Sequence, residues 1–99
     1  MTRMEAFEKL AKNNGLNIEV CFNNHRAWFN NKDYLMSMTI RDTLHVATKV
    51  QNGKFVWFKA YKRISQKVYT NLDKQIKQLI GDFKAYQVEE KLEIMGNDF

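Results

Sequence analysis

The stretch LHVATKVQNGKFVWFKAYKR, Leu44 to Arg63, decides how this chain is read. Asn52-Gly53 lies between two runs, Leu44 to Gln51 and Lys54 to Arg63, that are rich in β-branched and aromatic residues. Asn-Gly suits the two left-handed positions of a type I′ turn, so the pattern predicts a β-hairpin. The register then decides which side chains share a face. With a loop of Asn52-Gly53 alone, Val50 pairs with Phe55 and Thr48 with Trp57. Leu44, Val46, Thr48, Val50, Phe55, Trp57, Lys59 and Tyr61 then share one face, with the aromatics in the core, and the outer face is basic and mixed. With a loop that also takes in Gln51 and a bulge at Gly53, Val50 pairs with Lys54. His45, Lys49, Phe55, Trp57, Lys59 and Tyr61 then form an aromatic and basic platform. Asn-Gly favours the shorter loop and Trp57 as core.

The same stretch holds the charge. The chain of 99 residues carries a net +5, and residues 43–64 contain Lys49, Lys54, Lys59, Lys62 and Arg63 with no acidic residue. The rest of the chain is therefore balanced. A concentrated basic patch is the electrostatic footprint of a polyanion binder. Lysines at a sheet rim also discourage edge-to-edge pairing, which is the plainer use for them.

Working outward, Thr2 and Glu5 have capping-box spacing ahead of Phe7, Leu10 and Ala11, and Asn13-Asn14-Gly15 supplies a stop, so residues 3–13 are expected to be helical. Leu16, Ile18, Val20 and Phe22 alternate with Asn17, Glu19, Cys21 and Asn23 as in a strand with one buried face. Turns are expected at Asn23-Asn24, Asn30–Asp33 and Arg41-Asp42. A short strand is possible at Arg26–Phe29, and a further one runs through Tyr34, Met36, Met38 and Ile40. After Ile64, either Lys67-Val68-Tyr69 is a last strand or a helix starts at Ser65, with Thr70 and Asn71 as other candidate caps. Tyr69, Leu72, Ile76, Leu79, Phe83 and Tyr86 fall on one helical face with heptad spacing. That face is expected to pack on the sheet; a homodimer through Tyr69, Leu72, Ile76, Leu79 and Phe83 is the alternative. The acidic end, residues 89–99, is expected to fray. The fold class is α+β: an N-terminal helix, an antiparallel sheet of about 4–5 strands and a long C-terminal helix on the sheet, one domain over 1–99.

Several function classes are disfavoured. No apolar run is long enough to cross a bilayer, and MTRMEAFEKL lacks the apolar segment of a signal peptide. A single cysteine, Cys21, rules out an internal disulfide framework and suits a reducing, cytoplasmic setting. Cys21, His25 and His45 lack zinc-site spacing, so no metal and no cofactor are expected. Nucleophile-elbow and zinc-protease motifs are missing, and the four glycines are too scattered for a phosphate loop. The chain reads as a non-enzymatic module.

The order of strands followed by a helix resembles the arm-type DNA-binding domains of integrases, and helix, sheet, helix is similar to double-stranded-RNA-binding domains. The basic first turn of the latter's RNA-binding helix is missing here, and a shared layout implies no residue roles. Two activities are expected from these features. One is nucleic-acid binding through the hairpin 43–64, carried by His45, Lys49, Lys54, Trp57, Lys59, Tyr61, Lys62 and Arg63. The other is docking on an acidic protein surface. An Asn-, Lys- and Ile-rich chain without proline fits AT-rich coding, so that partner would suit a phage or plasmid accessory factor that inhibits or retargets a host protein. One arginine among the five cations of the patch argues against sequence-specific reading by arginine forks.

Overall fold

The computed structural model describes residues 2–22, 24–39 and 43–97, with the backbone alone from 89 to 97. It is α+β, with helix α1 (Arg3–Asn13), strands β1 (Asn17–Val20), β2 (Asn24–Trp28), β3 (Tyr34–Thr39), β4 (Leu44–Val46), β5 (Lys49–Gln51), β6 (Lys54–Val56) and β7 (Lys59–Tyr61), and helix α2 (Gln66–Asn97). The Arg41-Asp42 turn and part of the Asn23-Asn24 turn lie outside the described residues, as do the side chains of the expected frayed end.

Helix α1 begins as its sequence requires. The Thr2 hydroxyl accepts the Glu5 backbone N–H at 3.1 Å. It ends in a Schellman motif: Gly15 takes φ +66, its N–H reaches Lys12 O, and the Leu16 N–H reaches Ala11 O at 2.9 Å. Helix α2 starts after Ser65, whose hydroxyl accepts the Val68 N–H. Of the two openings considered for this segment, the helix is therefore the one formed. Thr70 and Asn71 are not caps; Thr70 lies inside the helix and returns its hydroxyl proton to Gln66 O.

Five strands form an antiparallel sheet in the order β1-β2-β3-β4-β7. One face carries Ala27, Met36, Met38, Leu44 and Val46, all buried. On this face lie Phe7, Leu10 and Ala11 of α1, and the same core takes in Leu72, Ile76, Leu79 and Phe83 of α2, which runs against the β5-β6 ribbon. The other face carries the row Glu19, Arg26, Ser37, His45 and Ala60, and no described helix packs on it. The heptad stripe of α2 is thus spent inside its own chain. Of the residues of the alternative dimer face, Leu72, Ile76, Leu79 and Phe83 are buried within the chain and Tyr69 is half-buried.

Two expectations need correction. The runs 44–51 and 54–63 are not two continuous strands. Both bend, at Ala47-Thr48 and at Trp57-Phe58, and the outer part, β5 with β6, leaves the main sheet as a two-stranded ribbon. The expected buried face of β1 is mostly exposed: Leu16 is buried, but Ile18 is 42%, Val20 71% and Phe22 101% exposed. The cause is position. β1 is an edge strand, and the core is centred on β3 and β4.

Candidate nucleic-acid interface

The hairpin register is that of the two-residue loop. Val50 pairs with Phe55 and Gln51 with Lys54, and Asn52 and Gly53 take φ +53 and +73. The same pairing continues below the bend, with Leu44 opposite Tyr61 and Val46 opposite Lys59. No residue is inserted or lost, so the bend is made by backbone rotation. The Ala47 N–H turns to Leu35 O at 2.9 Å, and the Gln75 side chain of α2 donates to Ala47 O at 2.7 Å. Thr48 donates its N–H to Val56 O and its hydroxyl proton to Trp57 O. Every polar group named here finds a partner, which is what makes a bend in a half-buried ribbon tolerable.

Trp57 itself is not core. Its φ is +57, a left-handed conformation that is an outlier for a bulky residue. That rotation takes its ring off the face shared by Val50 and Phe55 and leaves it 66% exposed. Phe55 remains buried, stacked on Phe83 at 4.8 Å. The register expected to bury Trp57 is therefore present without the burial, because one residue breaks the alternation on which the expectation rests.

The expected site residues divide into groups. Lys49 and Trp57 come together, with the ammonium 4.5 Å from the ring centroid. Lys59 lies over Tyr61 at 5.3 Å, on the edge strand β7; Tyr61 is half-buried against the core. Lys54, Lys62 and Arg63 are exposed. His45 stands apart, half-buried in β4 on the helix-free face between Ser37 and Ala60. A cleft of about 620 Å³ is lined by Thr2, Arg3, Met4, Lys62, Arg63, Ile64 and Ser65. Thr2 and Ser65 cap the two helices, so both positive helix ends border the same basic cleft. Arg3 also donates to Lys62 O.

A second aromatic and basic group was not foreseen. Trp28 and Tyr34 meet edge-on at 5.3 Å, Tyr34 and Phe58 lie 5.2 Å apart, and the Arg26 guanidinium sits 5.2 Å from the Tyr34 ring. Arg26, Trp28 and Tyr34 stand on the helix-free face, and Phe58 reaches Tyr34 from the edge of the core. The one sequence signal of this row is Arg26-x-Trp28, two residues that a strand puts on the same side. A small cleft beside it is bordered by Lys32, Asp33, Tyr34, Lys54, Phe55 and Phe58.

The remaining candidates disperse. His25 is on the helix side against Phe7, with ring centroids 6.5 Å apart, whereas His45 is on the opposite face. Cys21 donates to the Glu19 carboxylate at 2.9 Å, and that hydrogen bond pushes its thiol above the ordinary value. A raised thiol is the opposite of an activated nucleophile. Among the described residues, no three His, Cys, Asp or Glu side chains converge as a metal site. None of the described helices is long and apolar enough to cross a membrane.

No protein-family model matches this chain, and no curated protein or solved structure matches it either.

Proposed function

We propose that this protein is a non-enzymatic binding module that contacts nucleic acid through the bent hairpin and the basic turn after it. The observation that carries this reading is an exposed Trp57 in a stretch whose five cations, Lys49, Lys54, Lys59, Lys62 and Arg63, are all exposed and meet no acid within residues 43–64. The cations would neutralise phosphates, and the helix ends beside Arg63 add to the same potential. The test is fluorescence anisotropy with labelled DNA and RNA at several salt concentrations. Log affinity should fall linearly with log salt. Reversing Lys49, Lys54, Lys59 and Lys62 to Glu should abolish measurable binding while the fold persists. Unchanged affinity in the folded variant would sink the proposal.

A second reading, docking on a protein, is favoured by β1. Cys21 and Asn24 exchange both backbone hydrogen bonds, so the next bonded pairs along β1 and β2 are Glu19 with Arg26 and Asn17 with Trp28. The amides of Ile18 and Val20 therefore point off the sheet, beside their exposed side chains. An extended partner segment with a basic residue facing Glu19 could add as a further strand. Val20→Lys should leave stability within about 0.5 kcal/mol, because the site is exposed. If partner capture from a host lysate survives this change but fails in the charge-reversed variant, the edge strand is not the docking site.

A further inference from the structure

We infer that Trp57 is a stacking platform for an unpaired base, so that the hairpin takes single-stranded nucleic acid in preference to duplex. This rests on the nucleic-acid reading above and names its ligand.

The first support is conformational. A side chain at φ +57 carries a steric cost that glycine would not, and asparagine tolerates this region far better than tryptophan. Burial does not recover the cost, and the Lys49 ammonium over the ring is an exposed contact of the weaker kind. The ring is 66% exposed and takes no part in the core, while its neighbours Phe55 and Phe58 do. A large aromatic held in a strained conformation away from the core is explained by something outside the chain that uses its surface.

The second support is how the ring is held. Thr48 bonds Trp57 O with its hydroxyl and Val56 O with its N–H, so the backbone that aims the indole is pinned from the opposite strand. The platform is set before any ligand arrives, which limits the ordering cost of binding.

The third support is what covers the ring. The Lys49 ammonium sits 4.5 Å from the ring centroid, where a base would stack. A lysine stem is flexible, so a base can displace the ammonium, which then meets the flanking phosphate. Base and phosphate partners thus stand side by side, as single-strand binding requires. Bases in a duplex are already stacked on one another and offer no free face to a ring of this kind.

The test uses the whole chain with a labelled oligo-dT strand, its oligo-rU counterpart and a duplex of the same length. Wild type should bind the single strands more tightly. Trp57→Gly should lose about 5- to 150-fold in single-strand affinity, the range of one base–aromatic stack. That loss should be the same at every salt concentration, since no cation is removed, and the melting temperature should stay level or rise. Trp57→Phe should keep most of the affinity but lose the quenching of indole fluorescence seen with wild type. Should the glycine variant fail to fold, Trp57→Asn makes the same comparison. Equal affinity of wild type for duplex and single strand, or full affinity in the Gly or Asn variant, would overturn the inference and leave lysine-based binding standing. No binding by wild type at low salt would instead overturn the nucleic-acid reading itself, and this inference with it.

Discussion

Asp73 shows how single residues join the two helices. Its carboxylate accepts from Lys77 at 2.6 Å one turn further along α2, and from Asn14, the C-cap of α1, at 3.0 Å. The Lys77 hydrogen bond, helped by Asn14 and opposed by partial burial, lowers the Asp73 pKa from its ordinary 3.8. A carboxylate with a depressed folded-state pKa adds stability above its unfolded value, and that contribution disappears as pH falls through the lowered one. Lys77 is half-exposed, so the ion pair itself contributes little. Asp73→Ala should cost about 1 kcal/mol at pH 7. Urea melts near pH 7 and near pH 2.5 should show the gap between variant and wild type closing in acid, and an undiminished gap would mean that Asp73 acts by shape and not by charge. At this scale the sequence speaks unevenly. Asn52 and Gly53 announce their positive φ by their identity; Trp57 gives no such notice, because nothing in tryptophan favours the left-handed region.

Among the elements, the bent hairpin depends on α2. Ala47 is fully buried, and its carbonyl accepts from the Gln75 side chain. Gly53 approaches the same helix so closely that a Cβ would stand 2.9 Å from the Tyr86 ring. The ribbon therefore lies along α2 from bend to tip, with Phe55 on Phe83 between them. Gln75→Ala should leave the Ala47 carbonyl without a partner and cost about 1–3 kcal/mol. Hydrogen exchange should then quicken in β5 and β6 more than in β3. Uniform quickening across the sheet would show that Gln75 supports the domain in general and does not pin the bend. The α2 stripe was legible from Tyr69 to Phe83 because helical periodicity is local. The division of two long runs into four short strands was not, since the alternation of side chains continues through residues whose backbone has turned.

Across the whole molecule, the order helix, sheet, helix and the hairpin register follow from capping residues, alternation and one Asn-Gly pair, all of them short-range signals. What lay beyond reach depends on which strand ends up outermost. Ile18, Val20 and Phe22 have the pattern of a buried face, and a sequence does not say that nothing will be laid over it. The row Trp28, Tyr34 and Phe58 draws on three separate strands or turns, and only the folded sheet aligns them. Of the candidate site, the cations are where a charge count would put them, whereas the exposure of Trp57 comes from a single dihedral angle.

The outward amides of β1 also bear on how these molecules behave at high concentration. Two copies meeting edge to edge, with Ile18 of one bonded to Val20 of the other, would set Glu19 directly opposite Glu19, roughly 4.5–5.5 Å apart at Cβ. Like charges at that separation resist the match. In that register the strand with the greasiest exposed side chains carries its own insulation: open to a chain that brings a cation, and unfavourable to its twin.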